Sequence, residues 1–131
     1  MNKLATRLIP LTLLLLLPLS THLRAQVTPA PVDGPRLTLT TDLSMGTQIG
    51  IAFVPHDETV WVDVNGNGIC DRGEGRAKGN VGKTNVMIVT LVKPSVTIYG
   101  PVEAIRFGGL DLTGVEVTKM PKLKEIQCFN N

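Results

Sequence analysis

Apolar residues recur at every second position in three segments near the middle of the chain. The segments are Leu37 and Leu39; Ile49, Ile51 and Phe53; and Val60, Val62 and Val64. A period of two places alternate side chains on one face of a β-strand. Each segment is therefore predicted to be a strand with one buried face.

Two further segments are also typical of strands. Residues 85–92 are apolar at nearly every position, which favours a central strand buried on both faces, and residues 95–99 follow Pro94 as another strand. Because no helical period follows residue 25, we predict an all-β fold. Residues 36–100 are expected to form a small antiparallel β-sandwich of five or six strands.

From residue 101 a different pattern begins. The positions of Val102, Ile105, Phe107 and Leu110 recur 21 residues later as Leu123, Ile126, Cys128 and Asn131, with Leu112, Val115 and Val117 between them. This spacing predicts the start of a leucine-rich-repeat solenoid over residues 101–131, with Cys128 pointing inward and Asn131 bonded to the turning backbone. A period seen only twice can also arise by chance.

Residues between the inward positions of such coils face outward on a common surface. That surface would carry Arg106 beside Ala104 and Gly108, and Gln127 and Phe129 beside Glu125. We predict that Arg106, Gln127 and Phe129 contact a partner protein or a host or cell-surface ligand. Because two coils make a small surface and an array normally needs more, we expect a longer protein.

Residues 63–74 have the spacing of a calcium-binding loop. Oxygen ligands are predicted at loop positions 1, 3, 5, 7, 9 and 12, which are the side chains of Asp63, Asn65 and Asn67, the carbonyl of Ile69, and the side chains of Asp71 and Glu74. Gly68 stands where the chain must turn sharply. The loop therefore predicts a structural Ca²⁺ site with modest affinity, roughly 10⁻⁴ to 10⁻³ M.

The flanks of this loop indicate what kind of site it is. Residues 59–64 are β-branched and aromatic, and residues 75–80 are poor helix formers, so the loop is expected to follow a strand. A simple alternative is that residues 65–68, Asn-Gly-Asn-Gly, form only a hairpin turn.

The N-terminus indicates export. Lys3 and Arg7 precede an apolar run, and Ala25 ends a segment typical of a cleaved signal peptide, residues 1–25. Residues 26–35 are rich in proline and glycine and are predicted to be a flexible lead-in. Without residues 1–25 the thirteen basic residues become ten, against eleven acidic ones. A near-neutral mature chain with no basic cluster and no second apolar run predicts neither nucleic-acid binding nor a transmembrane segment.

The remaining reactive residues do not form a catalytic pattern. His56 is the one histidine after residue 25, Ser44 and Ser95 lie in no nucleophile motif, and residues 82–84, Gly-Lys-Thr, lack the rest of a phosphate loop. We therefore predict no enzymatic activity. Cys70 and Cys128 are expected to be two small buried thiols, with a disulfide between them as the alternative in an exported protein.

The chain resembles the secreted, internalin-like (internalin J type) leucine-rich-repeat surface proteins of bacteria. The resemblance rests on residues 96–100, 112–119 and 123–131, and residues 60–74 are similar to the β-domains that precede such repeats. It implies surface display and binding of a protein or host ligand through the repeats, without catalysis. We accordingly expect a secreted or cell-surface adhesion protein with a calcium-stabilised β-domain.

Two other functions remain open at this point. The chain is also compatible with a carbohydrate- or cell-wall-binding β-sandwich module, which would expose Trp61 and Tyr99 for stacking on sugars. A third possibility is an accessory domain of an enzyme whose catalytic part lies elsewhere. A buried Trp61 favours the repeat protein over the sugar-binding module.

Overall fold

The computed structural model describes residues 29–75, 77 and 79–131, and the predicted signal peptide lies outside them. Within these residues the chain forms eight strands and no helix. The strands are β1 Arg36–Thr41, β2 Gln48–Pro55, β3 Trp61–Asp63, β4 Asn85–Thr90, β5 Ser95–Tyr99, β6 Val102–Gly108, β7 Leu112–Thr118 and β8 Glu125–Phe129. The all-β prediction is confirmed. No helix in this part of the chain is both long and apolar enough to cross a membrane.

The strands form two four-stranded sheets. Sheet 1 has the order β3-β5-β1-β7, and sheet 2 has the order β4-β2-β6-β8. Alternate residues of the central strands point into one shared core, as the period of two predicted. Its most deeply buried side chains include Leu37, Leu39, Ile51, Val96, Ile98, Ile105 and Phe107.

One strand has a different place from the predicted one. The apolar segment that contains β4 was expected to be a central strand, but β4 is an edge strand of sheet 2. Val89 points into the core, whereas Val86 and Ile88 are 68% and 62% exposed on the opposite face. The second apolar face of β4 is therefore a surface of the protein and is not covered by another layer of the described chain.

Strands β6, β7 and β8 form one coil that passes from sheet 2 to sheet 1 and back. β6 lies in sheet 2, β7 crosses to sheet 1 beside β1, and β8 returns to sheet 2 and pairs with β6 in parallel. Ile105 is paired with Ile126 and Phe107 with Cys128, an offset of 21 residues that equals the spacing of the sequence pattern. This parallel pair departs from the purely antiparallel pairing of β1 to β5.

The described part of the predicted lead-in is bonded to the loop of residues 63–74 and to the residue that follows β5. The amide of Ala30 donates to the carbonyl of Gly68 at 2.7 Å, and the amide of Gly100 donates to the carbonyl of Pro35 at 2.8 Å. Pro29 also forms an isolated antiparallel bridge with Ile69. The chain therefore enters the fold along the loop that was predicted to bind calcium.

Candidate functional site

The outer face of sheet 2 gathers the predicted partner-binding residues on one surface. Arg106 and Gln127 are neighbours across β6 and β8, and the same row continues through Ala52 to Val86 on β4. We call this surface the sheet 2 face. It is formed by the outward side chains Val86, Ile88, Gly50, Ala52, Val54, Ala104, Arg106, Gly108, Glu125, Gln127 and Phe129.

Large apolar side chains stand at the two sides of this face. Val86 and Ile88 lie on β4, and Phe129, which is 53% exposed, lies on β8. Between them, β2 and β6 carry mostly small residues, and Arg106 stands among these on β6. The ring of Phe129 lies over Gly108, so closely that a side chain at position 108 would collide with it, and Ile88 reaches over Gly50.

The sequence indicated only one side of this surface. Arg106, Gln127 and Phe129 were found through the repeat pattern, whereas Val86 and Ile88 were assigned to a buried face. Exposed apolar patches on a sheet are typical of interaction surfaces. The signal that could have identified Val86 and Ile88 is the run of apolar residues on both faces of β4. If such a strand lies at the edge of a sheet and only one face meets the core, its other apolar face is exposed.

In the loop of residues 63–74, the two end carboxylates are buried and bonded to the main chain. Asp63 is 1% exposed, and its Oδ1 and Oδ2 accept hydrogen bonds from the amides of Gly66 and Gly68 at 2.7 and 2.8 Å. Glu74 is 5% exposed and accepts from the amides of Val64 and Asp71 at 2.8 and 2.9 Å. Positive φ angles at both glycines let the backbone turn its amides toward Asp63.

The middle of the loop brings three predicted ligands together. The side-chain amides of Asn65 and Asn67 both donate to Oδ2 of Asp71, at 2.8 and 2.6 Å. These two hydrogen bonds hold the pKa of the exposed Asp71 carboxyl below its usual value. The oxygens of Asn65 and Asn67 accept from backbone amides two residues ahead, at Asn67 and Ile69.

The loop is therefore closed by its own amides around its carboxylates. Within residues 29–75, 77 and 79–131, no group of three or more His, Cys, Asp or Glu side chains is arranged to hold a metal ion. Each carboxylate oxygen has more than one lone pair, so the hydrogen bonds of Asp63 and Glu74 leave acceptor capacity. The donor set is chemically suited to Ca²⁺, which prefers carboxylate, amide and carbonyl oxygens.

A shallow groove of about 300 Å³ separates this loop from the edge of sheet 2. Its lining residues combine the polar loop with the apolar strand. They include Asn65, Asp71, Glu74, Ile88 and Val92. Because Ile88 belongs to both the groove and the sheet 2 face, the loop borders the candidate interaction surface.

Trp61 and Tyr99 form an aromatic pair on the other sheet. Their ring centroids lie 4.9 Å apart and the planes are inclined by 25°, so the rings are stacked on each other. Trp61 is 4% exposed, and burial raises the pKa of the Tyr99 hydroxyl. The small cavity beside them, about 150 Å³, is lined mainly by proline and glycine as well as these rings.

The two cysteines are free, but they are not buried as predicted. Cys70 is half-buried, and its thiol donates to the carbonyl of Glu74 at 3.0 Å. Cys128 is exposed on β8. Its side chain lies on the core side of sheet 2, as the repeat pattern predicted, because Cys128 pairs with the buried Phe107. It is exposed because no described strand lies on the other side of β8.

Asn131 closes the turn that follows each of the two parallel strands. Its Oδ1 accepts from the amide of Leu110 at 2.9 Å, and its amide nitrogen donates to the carbonyl of Phe129 at 3.1 Å. A longer contact of 3.5 Å reaches the carbonyl of Phe107. Asn131 therefore links the ends of β6 and β8, where the sequence pattern had predicted a bond to the backbone.

His56 is the remaining titratable side chain that the sequence had set apart. Its Nδ1 lies 2.8 Å from Oε1 of Glu103, and this hydrogen bond keeps the pKa of Glu103 below its usual value. His56 thus connects the end of β2 with β6.

The chain was also compared with known proteins. No protein-family model, no curated protein and no solved structure matches it.

Proposed function

We propose that this protein is an exported, non-enzymatic interaction protein that binds a protein ligand on a cell surface through the sheet 2 face. The observation that carries the proposal is the exposure of Val86, Ile88 and Phe129 on one face of sheet 2, with mostly small residues between them. These small residues let a partner approach the backbone closely, and the apolar side chains lose water when it binds.

The polar residues of the face would give the contact its specificity. Arg106 is exposed in the centre of the face, and Gln127 is its neighbour on β8. Arginine is common among the residues that dominate binding energy, because its planar group combines several donors with a large contact area. Arg106, Gln127 and Phe129 are therefore the proposed contact residues on one side, with Val86 and Ile88 on the other.

We further propose that β6, β7 and β8 are the first coil of an internalin-like leucine-rich-repeat array. The 21-residue parallel register and the hydrogen bonds of Asn131 support this assignment. Both features are what stacked coils require, because each strand is covered by the equivalent strand of the next coil. The sheet 2 face would then be the first part of a longer binding surface.

The loop of residues 63–74 is proposed to bind Ca²⁺ as a structural ion. The convergence of Asn65 and Asn67 on Asp71 and the burial of Asp63 and Glu74 support this role. Rotation of the two asparagine amides would direct their oxygens to an ion that Asp71 also contacts. Because the loop borders the groove beside Ile88, the ion would stabilise one edge of the binding face.

A carbohydrate-binding function has less support. Sugar-binding modules use exposed aromatic rings as stacking platforms, whereas Trp61 is buried and stacked against Tyr99. The exposed Phe129 stands alone, with no second ring beside it on the face. A protein partner therefore fits the described surface better.

Binding to intact host cells tests the proposal. Fluorescently labelled protein is added to untreated cells, to cells whose surface proteins have been removed with trypsin, and to cells whose glycans have been oxidised with periodate. We expect binding that trypsin abolishes and periodate leaves unchanged. Binding that depends on glycans would instead support the carbohydrate module.

A surface variant shows whether the sheet 2 face carries this binding. Val86→Lys, Ile88→Lys and Phe129→Lys are combined in one protein, and circular dichroism confirms its fold. The matched control combines Val32→Lys, Met45→Lys and Val81→Lys, three exposed apolar residues outside the face. We expect at least a tenfold loss of binding for the first protein only. Equal binding by both would contradict the proposal.

A further inference from the structure

Two asparagines of the loop of residues 63–74 are each followed directly by glycine. They are Asn65, before Gly66, and Asn67, before Gly68. In such a pair the backbone nitrogen of the glycine can attack the side-chain carbonyl carbon of the asparagine, because glycine has no side chain to obstruct the approach. Both pairs are therefore chemically labile unless the fold holds the reacting atoms apart.

The structure binds both attacking nitrogens to one buried carboxylate. The amides of Gly66 and Gly68 donate to Oδ1 and Oδ2 of Asp63 at 2.7 and 2.8 Å, and Asp63 is 1% exposed. The attack requires the amide nitrogen to lose its proton. A carboxylate beside the nitrogen opposes this loss, because it would bring two negative charges together. Asp63 therefore keeps both nitrogens unreactive while the loop is closed.

The side chains that would be attacked are held as well. The side-chain amides of Asn65 and Asn67 donate to Oδ2 of Asp71 at 2.8 and 2.6 Å, and their oxygens accept from the amides of Asn67 and Ile69 at 3.1 and 2.9 Å. Neither side chain can turn toward the glycine nitrogen without breaking these bonds. Asn67 and Asp71 are exposed, however, and hydrogen bonds that face water open locally more often than buried ones.

We propose that Asn65 and Asn67 are a self-deamidation site that the closed loop protects and that local opening exposes. In the open loop the glycine nitrogen forms a bond to Cγ of the asparagine and the bond from Cγ to Nδ2 breaks. The side-chain nitrogen leaves as ammonia with the proton that the glycine nitrogen gave up. Water then opens the cyclic imide and leaves aspartate or its β-linked isomer. The inference is separate from the proposed function, since the reaction needs neither a partner nor an ion.

The product changes the charge of the loop. Where a side-chain amide donated to Asp71, a second carboxylate now stands, so repulsion between like charges replaces a hydrogen bond. The reaction therefore destabilises the closed loop that protected it. It follows that modification of Asn65 or Asn67 makes the other asparagine react faster.

Peptide mapping by mass spectrometry tests the site in the full purified chain, kept in mildly alkaline buffer either folded or unfolded in urea. We expect conversion of Asn65 and Asn67 to aspartate in both samples, at least about tenfold slower in the folded protein. Asn80 and Asn85 are internal controls, since each precedes a valine whose branched side chain obstructs the attack, and they should stay intact. Equal rates in the two samples, or a folded chain that stays unmodified at both positions, would overturn the proposal.

Variants test the protection by the loop. Asp71→Ala frees both asparagine side chains and should raise the rate of deamidation in the folded protein several-fold. Asp42→Ala, which removes an exposed carboxylate outside the loop, should react at the wild-type rate. Circular dichroism confirms that both variants are folded. A rate in Asp71→Ala no higher than that in Asp42→Ala would contradict the protective role of these hydrogen bonds.

A product mimic tests the coupling between the two asparagines. Asn67→Asp should speed the reaction at Asn65 and lower the melting temperature of the protein measured in EDTA. Asn80→Asp adds the same charge at another exposed position and should do neither. If both variants modify Asn65 at the wild-type rate, the proposed coupling is wrong.

Discussion

The two ends of sheet 1 are built in opposite ways. At the β3 end, Asp63 and the neighbouring Glu74 are almost fully buried, and main-chain amides satisfy their carboxylates. At the β7 end, Val115 and Val117 are apolar and 40% exposed. Polar groups thus lie inside at one end, and apolar groups lie outside at the other.

This difference shows what closes a β-sandwich. A loop can cover an edge if it provides enough amides to satisfy its own buried acceptors, as residues 63–74 do. An edge with no such loop is covered only by another strand. The closed end therefore has the properties of a structural site, whereas the open end leaves inward-facing apolar side chains in contact with water.

The largest expected effect is the difference in stability loss between alanine variants of the paired residues Ile105 and Ile126. Ile105→Ala should lower the free energy of unfolding by about 3 to 4 kcal/mol, because it leaves a cavity in a closed core. Ile126→Ala, made at the open edge, should lower it by about 1 kcal/mol in dilute protein, because half of the side chain already contacts water. Urea unfolding followed by Trp61 fluorescence measures both. Equal losses would mean that β8 is covered.

The next effect concerns the closed end. Asp63→Ala removes the acceptor for the amides of Gly66 and Gly68 and should lower the free energy of unfolding by about 2 to 3 kcal/mol. The exposed Asp42 provides a control, since Asp42→Ala should change it by less than about 0.5 kcal/mol. A loss of the same size in both variants would show that the buried hydrogen bonds do not close this end.

Calcium should increase the difference in stability between the two ends, because it stabilises the closed end. With a dissociation constant of roughly 10⁻⁴ to 10⁻³ M, about 10 mM Ca²⁺ adds about 1.4 to 2.7 kcal/mol to the folded state. The melting temperature should therefore rise by at least about 5 °C relative to protein in EDTA. In a variant combining Asn65→Ala and Asn67→Ala the rise should disappear. An unchanged melting temperature of the wild-type protein would contradict the ion site.

The smallest effect is the acid sensitivity of the loop. Hydrogen bonds from Asn65 and Asn67 hold the pKa of Asp71 below its usual value, so its stabilising contribution is present above about pH 4 and is lost as the pH falls through the folded-state pKa. In EDTA, Asp71→Asn should therefore show a shallower loss of stability below pH 4 than the wild-type protein. The control is Asp42→Asn, which should follow the wild-type curve.

Local patterns predicted the strands but not their neighbours. Alternation located β1 and β2 because a half-buried strand shows its two faces directly in the sequence. The same reasoning placed β4 in the centre of a sheet, because Val86 and Ile88 make its second face apolar. That pattern is the same whether β4 lies at the centre or at the edge. Edge and central positions depend on pairing between distant residues, which no local pattern specifies.

The candidate sites were predictable to the same extent. The spacing of residues 63–74 indicated the cluster of Asn65, Asn67 and Asp71. It did not indicate that backbone amides would donate hydrogen bonds to the carboxylates of Asp63 and Glu74. The 21-residue period predicted the inward phase of Cys128 and the bonds of Asn131. It could not predict that Cys128 is exposed, since burial there requires a further strand beside β8.

Hydrogen exchange of dilute protein, followed by mass spectrometry, tests the contrast between the two ends most directly. The amides of Gly66, Gly68 and Asp71 donate to buried carboxylates, so peptides covering residues 63–74 should exchange slowly, and calcium should slow them further. Peptides covering residues 112–118 and 125–129 should exchange at least tenfold faster than those covering β1 and β2. Fast exchange in residues 63–74, or protection of β7 and β8 equal to that of the central strands, would contradict the account.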